Sequence, residues 1–206
     1  MTTVALVPVQ RLETAKSRLA GRLCPAARRE LVLALLERVL GALAGAERVD
    51  AVLVVSPDPA VLAFAAASGA LPLAQPGSGL NAALKLGRSE ALRRGADRLL
   101  IVLGDLPLLT PAEVDALLAH PEAVVLAPDR HERGTNLLAL RPPAALPPAF
   151  GPDSLRAHRL AAQQRGLPLQ EYRSRATALD LDTPEDLALL VEREDLTVPH
   201  CVHPRG

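Results

Sequence analysis

The stretch Leu99-Leu100-Ile101-Val102-Leu103-Gly104-Asp105-Leu106-Pro107 decides the fold. An unbroken apolar run ends at one glycine and one carboxylate. Such a run, bounded by a turn signal, reads as a strand buried on both faces, as in the middle of a parallel sheet. Asp105 then stands at the strand's carboxyl end, the edge at which open α/β sheets bind ligands. Gly104 permits close approach to the backbone. Pro107 keeps Leu106 extended, so a stiff non-helical turn presents the carboxylate. Two roles fit Asp105 at this stage: ligand to a nucleotide-bound Mg²⁺, or cap of the turn that follows it.

Outward from this strand the pattern alternates. Thr3–Val9, Val49–Val55 and Leu71–Ala74 read as strands. A long amphipathic helix opened by Pro25 and a short Ala-rich helix over Pro59–Ala67 separate them. Strand, helix, strand, helix, strand argues for a parallel sheet with right-handed crossovers. A helix over Ala82–Arg94 precedes the central strand, and one opened by a Thr110…Glu113 capping box follows it. Further strands are expected over Ala123–Ala127, Leu137–Leu140, Leu167–Tyr172 and Thr177–Asp182. A Pro-rich connector spans Arg141–Pro148, and a helix runs from about Phe150 to Arg165. Thr183-Pro184-Glu185-Asp186 caps the last helix, which runs to about Glu194. The reading is one α/β domain over residues 1–194 with a C-terminal tail over 195–206.

Composition narrows the function. The 206 residues suffice for one domain burying roughly 70% of its unfolded surface. Phe64, Phe150 and Tyr172 are the whole aromatic inventory, too few for a stacking platform, which argues against nucleic-acid binding of that kind. Lys+Arg and Asp+Glu balance at 23 each, leaving no broad field for nucleic acid or a membrane. No apolar stretch approaches a membrane span, and no signal peptide is visible. A cytoplasmic protein is expected, with Cys24 and Cys201 reduced. His200, Cys201 and His203 in the tail are a conceivable metal site, but the expectation there is plain terminal chain.

Three loops carry the polar groups that chemistry needs. Gln10–Leu19 follows the first strand and holds Lys16 and Arg18, in the usual seat for nucleotide phosphates. Lys16 is one of only two lysines, the other being Lys85. There is no Walker A pattern and no G-x-G-x-x-G, so ordinary surface cations remain the alternative. Gln75–Asn81 contains Gly77 and Gly79 for close backbone approach and Asn81 as a two-way hydrogen-bonding group. Phe150-Gly151-Pro152-Asp153-Ser154 opens a helix whose first-turn N–H groups suit an anion. Asp180 and Asp182 end the last expected strand, and their alternation is expected to turn one of the two toward the other face. Carboxylates from two strand ends facing a phosphate loop are the equipment for transferring a nucleotidyl group.

The segments VPVQRLETAKSRLA, GLNAAL, LGDLPLLTPAEV, APDRHERGTNLLAL, FGPDSLRAH and LDLDTPEDL, in that order, resemble the 2-phospho-L-lactate/phosphoenolpyruvate guanylyltransferase family of deazaflavin coenzyme F-420 biosynthesis. The resemblance covers nearly the whole chain. It implies the nucleotide-diphospho-sugar transferase fold, a three-layer α/β/α sandwich around a mostly parallel mixed sheet. It implies GTP and a small phosphorylated carboxylic acid as substrates, phosphoenolpyruvate first and 2-phospho-L-lactate second, with hand-over of the product to the next enzyme. By resemblance Asp105, Asp180 and Asp182 match metal-binding positions for Mg²⁺, and Thr135, Gly151 and Ser154 match positions that hold the acid. Lys16 and Arg18 match the phosphate loop, with Asp105 counted among the catalytic groups beside them. Gly79 and Asn81 match the loop near the nucleoside. One departure stands out: Gln10 replaces a lysine common in the family.

The implied reaction is attack by the acid's phosphate on the α-phosphorus of GTP, with pyrophosphate leaving. The nucleophile is already ionised, so no catalytic base is required, and no Ser/His/Asp or Cys/His set is visible. Two other readings stay open: another nucleotidyltransferase of the molybdopterin or sugar-phosphate type, and a non-catalytic nucleotide-binding protein of the same fold.

Overall fold

The computed structural model describes residues 1–77 and 79–192. Ser78 of the second loop, the end of the last expected helix at Glu194, and the tail with His200, Cys201 and His203 lie outside the described residues. Strands are β1 (Thr3–Pro8), β2 (Ala51–Ser56), β3 (Leu71–Ala74), β4 (Arg98–Val102), β5 (Val124–Pro128), β6 (Thr135–Leu140) and β7 (Leu169–Glu171). Helices are α1 (Pro25–Gly45), α2 (Pro59–Ala67), α3 (Leu80–Arg93), α4 (Pro111–Ala119), α5 (Ser154–Gln164), α6 (Arg175–Ala178) and α7 (Pro184–Glu192), with a 3-10 turn at Ser17–Leu19.

The strands form one sheet in the order β3-β2-β1-β4-β6-β5-β7. All neighbours pair parallel except β6, which runs antiparallel to both β4 and β5. β4 is therefore central, and all five of its residues are buried. Alternate strand residues feed two cores. Ala5, Val7, Leu100 and Val102 meet Leu36, Val39 and Leu43 of α1 and Val114 and Leu117 of α4. Val4, Leu6, Leu99 and Ile101 meet Ala83 and Leu84 of α3 and Leu155 and Ala162 of α5. The result is the expected three-layer α/β/α sandwich. Among the described residues no helix is long and apolar enough to cross a membrane.

A third, smaller cluster positions the site. Leu31 and Leu35, on a second apolar stripe of α1, pack with Leu19, Leu179, Leu181, Leu187 and Leu190. This cluster corrects the expected strand over Thr177–Asp182. The segment instead ends α6 and runs beyond it outside the sheet, because Leu179 and Leu181 are buried against α1 and α7 rather than against either sheet face. One backbone bond, Leu181 N–H to the Asp105 carbonyl at 3.1 Å, ties it to the end of the central strand. Asp186 closes a capping box at α7, accepting at Oδ2 from the Thr183 N–H at 2.7 Å and the Asp182 N–H at 3.0 Å.

Two local expectations change. Thr110 caps α4 by accepting from the Glu113 N–H, but the Glu113 carboxylate accepts from the Tyr172 hydroxyl at 2.7 Å instead of completing the box. Cys24 is disulfide-bonded, not the reduced thiol expected.

Candidate active site

Site residues gather at the carboxyl ends of β1, β2 and β4. The β1 loop folds back because Leu12 is buried in the core and its N–H donates to Asp58 Oδ2 at 2.9 Å. Asp58 Oδ1 caps α2 at the same time. Lys16 sits at φ 53°, ψ 37°, a left-handed conformation that turns its side chain back over the sheet edge. Beyond β4, Arg38 Nη1 donates to the Pro107 carbonyl at 3.1 Å and steadies the turn that carries Asp105.

The Lys16 ammonium joins the two acidic segments. Its Nζ lies 2.5 Å from Asp105 Oδ2 and 2.7 Å from Asp182 Oδ1. The Lys16 side chain is 8% exposed, Asp105 22% and Asp182 45%, so the bridge runs from the interior to the cleft surface. Burial alone would lower the Lys16 pKa, but the Asp105 and Asp182 carboxylates outweigh it and push it up to about 12. Arg18 approaches Asp182 Oδ2 at 3.8 Å from solvent. Asp105 Oδ1 is buried and has no hydrogen-bond partner. A bare buried carboxylate oxygen is costly unless something is to bind it.

Asp180 and Asp182 point the same way. Residues i and i+2 of an extended chain share a face, and Leu179 and Leu181 hold the opposite face in the third cluster. The expectation that one would turn away is thereby corrected. Burial, then Asp105, with a smaller push from Asp182, raise the Asp180 carboxyl to about 6. Asn136 Nδ2 donates to the Thr177 and Ala178 carbonyls at 3.1 and 3.2 Å and reaches Asp180 Oδ1 at 3.5 Å. From the other side Arg130 Nη2 contacts Asp186 Oδ1 at 2.5 Å, and the Arg130 N–H donates to the Ala178 carbonyl. Sequence reasoning assigned no role to Asn136 or Arg130, whose partners lie far away along the chain, and gave Asp186 only its place in the cap of the last helix.

Two adjoining cavities open here. One of about 250 Å³ is lined by Lys16, Gly104, Asp105 and Asp182. The other, about 290 Å³, is lined by Arg11, Thr14, Pro57, Gln75 and Gly79. Pro8, Val9, Gln10 and Leu80 border both. The start of α3 thus stands at their junction, with no side-chain cap on its first N–H groups. Gly79 has φ +101°, a backbone that L side chains rarely adopt, and its carbonyl accepts from Gln75 Nε2 at 3.1 Å. Gln10 lies in the wall between the two cavities.

The third group, Thr135, Gly151 and Ser154, is not among the residues that line either cavity; its link to them is Asn81, the neighbour of Leu80 in α3. The Asn81 amide donates to the Phe150 carbonyl at 2.8 Å and accepts from the Phe150 N–H at 3.0 Å. The Asn81 side chain therefore clamps the turn that holds Gly151 (φ +131°) to the start of α3. The N–H groups expected to be free at the start of α5 are partly engaged: Ser154 donates to the Gly151 carbonyl and Leu155 to the Arg133 carbonyl. Thr135, the first residue of β6, and Ser154 are each 2% exposed, while Gly151 is exposed. His158 and Thr135 are hydrogen-bonded at 3.0 Å.

Comparison with known proteins identifies the family and the fold. Residues 3–197 match the family model described as guanylyl transferase CofC like. The chain is 62% identical to a phosphoenolpyruvate guanylyltransferase of Sphaerobacter thermophilus, over 91% of each chain. It is 40% identical to a 2-phospho-L-lactate guanylyltransferase of Methanothermobacter thermautotrophicus, over 93% of this chain and 85% of the other. Among solved structures, a Desulfovibrio desulfuricans protein named for the nucleotide-diphospho-sugar transferases superposes with a TM-score of 0.78. It covers 94% of this chain and 88% of its own at 20% identity, a likeness of fold.

Proposed function

The chain belongs to the CofC-like guanylyltransferases, and from that premise we propose that it joins GMP from GTP to the phosphate of a small phosphorylated acid, releasing pyrophosphate, in coenzyme F-420 biosynthesis. Phosphoenolpyruvate is the first choice of acid and 2-phospho-L-lactate the second. The observation that carries this reading is the Lys16 ammonium held between Asp105 and Asp182 at the floor of a cleft.

In this proposal Lys16 and Arg18 bind the triphosphate, and Gly79, the start of α3 and the clamped Asn81 shape the nucleoside side. Thr135, Gly151 and Ser154 hold the acid. Asp105, Asp180 and Asp182 would hold Mg²⁺. The donor set fits a hard cation: carboxylates share one face, one buried oxygen has no partner, and a cationic ammonium already rests between two of them. Among the described residues no three such groups close on one point, so phosphate oxygens of the nucleotide would complete the shell, as is usual for Mg²⁺. When bound, the ion would neutralise charge on the phosphates and draw the Asp180 carboxyl back toward ionisation.

The chain's own residues supply position and charge. An acid phosphate oxygen forms the new bond to the α-phosphorus as the bond to the β-phosphate oxygen breaks, and the electron pair leaves with pyrophosphate. Lys16 and Arg18 sit where that negative charge accumulates. Hand-over of the anhydride product to the next enzyme belongs to the same proposal. So does a cytoplasmic location, where both substrates are at hand, although a disulfide such as that at Cys24 is uncommon there.

The test is pyrophosphate release from each nucleoside triphosphate with Mg²⁺ and, in turn, phosphoenolpyruvate, 2-phospho-L-lactate and 3-phosphoglycerate. Release with GTP and at least one acid is expected. Release with another nucleotide and a sugar phosphate, or none at all, would overturn the reading.

A further inference from the structure

We propose that His158, held as the neutral tautomer with its proton on Nδ1, is a positioning residue that makes the Thr135 hydroxyl a hydrogen-bond donor to the phosphorylated acid. The inference rests on the functional reading above for Thr135's place beside the acid, and the tautomer itself rests on geometry alone.

The His158 side chain is fully buried in α5 and touches two polar partners. The Ala149 backbone N–H reaches Nε2 at 3.1 Å. A backbone N–H can only donate, so Nε2 must present its lone pair. A neutral ring then carries its hydrogen on Nδ1, which faces Thr135 Oγ1 at 3.0 Å and donates to it. Burial supports the neutral form by lowering the ring's pKa to about 4. The Phe150 ring packs edge-on at 5.1 Å and 68°, fixing the plane of the imidazole.

Thr135 Oγ1 is thus an acceptor toward His158, and its own hydrogen has no protein acceptor among the described residues. A buried hydroxyl hydrogen without a partner calls for one. A carboxylate or phosphate oxygen of the acid would supply it. With the opposite tautomer Thr135 would spend its hydrogen on Nδ1 and turn only lone pairs toward an anion. The same ring, through Ala149, also holds the turn leading to Gly151 and Ser154. One side chain therefore contacts Thr135 directly and the turn before Gly151 through Ala149.

The experiment pairs spectroscopy with kinetics. In ¹⁵N-histidine NMR of the wild-type chain, the resonances absent from His158→Asn should show a protonated Nδ1 and a bare Nε2 at pH 7. A proton on Nε2, or on both nitrogens, would overturn the proposal without reference to activity. Kinetically, His158→Phe should raise KM for phosphoenolpyruvate about tenfold, the loss of roughly one hydrogen bond, with KM for GTP unchanged. His158→Asn places an amide N–H near Nδ1 and should recover most of that loss. Thr135→Val and the Thr135→Val/His158→Phe pair should bind the acid equally weakly. A folded His158→Phe with unchanged KM for the acid, or with both KM values raised alike, would refute it. If the wild-type chain released no pyrophosphate with any acid, the functional reading would fall and the acid-site role with it, while the NMR would still decide the tautomer.

Discussion

The Lys16 bridge gives the most quantitative test of the structure. Lys16→Met and Asp105→Asn are made singly and together. Raising the Lys16 pKa from 10.5 to about 12 corresponds to about 2 kcal/mol left over after the burial penalty, so the attraction to the two carboxylates exceeds that figure. Asp105 is the closer and less exposed partner, 2.5 against 2.7 Å and 22% against 45% exposed, so most of that should lie on this pair. Lys16→Met leaves Asp105 with no partner at either oxygen and should cost about 3 kcal/mol. Asp105→Asn leaves Lys16 its contact with Asp182 and should cost about 1–2 kcal/mol. The double variant should lose less than the sum by roughly 1–2 kcal/mol. Urea unfolding at pH 7, with unchanged m-values, reads each quantity. The sign with pH follows from the raised pKa. The contribution is fully present below 10.5 and is lost as pH rises through about 12, so Asp105→Asn should flatten the alkaline side of the stability profile. Effects that add to within about 0.3 kcal/mol would refute the bridge.

Other consequences can be measured on the same variants and a few more. His158, with its pKa lowered from 6.5 to about 4 by burial, contributes about 3 kcal/mol in its neutral form above pH 6.5; this is lost as pH falls toward 4, and His158→Phe should remove that dependence from thermal melts. Gly87→Ala would place a methyl 2.3 Å from Cδ1 of the fully buried Leu6, so the variant should lose about 1–3 kcal/mol in urea unfolding. Arg130→Met strips the buried Asp186 carboxylate of its cation and should cost about 3 kcal/mol while raising KM for GTP, because Asp186 holds the Asp182 and Thr183 N–H groups.

What the sequence disclosed follows from the range of the interactions involved. Asp105 was readable because a local pattern, an apolar run stopped by Gly104 and Pro107, fixes its place at a strand end. The sandwich was readable because period-2 and period-3.6 patterns alternate along the chain. The segment before Asp182 misled because Leu179 and Leu181 alternate as a sheet strand would, yet bury against α1 and α7. Its local pattern is that of a strand, and only the third cluster tells the two apart. The same alternation should have placed Asp180 and Asp182 together, since positions two apart share a face. Asn81 with Phe150, Asn136 with Thr177, and His158 with Ala149 and Thr135 left no local signal. Their bonds join residues distant in sequence, and a lone polar residue in a helix or strand does not announce its partner.

We propose the Asp105–Lys16–Asp182 cleft as the place where a nucleotidyl group is transferred. The most direct measurement is the rate of pyrophosphate release from GTP and the acid that the wild-type chain uses, compared with Asp105→Ala at saturating substrates. Asp105→Ala should lose more than about a hundredfold in rate while still unfolding cooperatively. A folded Asp105→Ala chain turning over near the wild-type rate would contradict it.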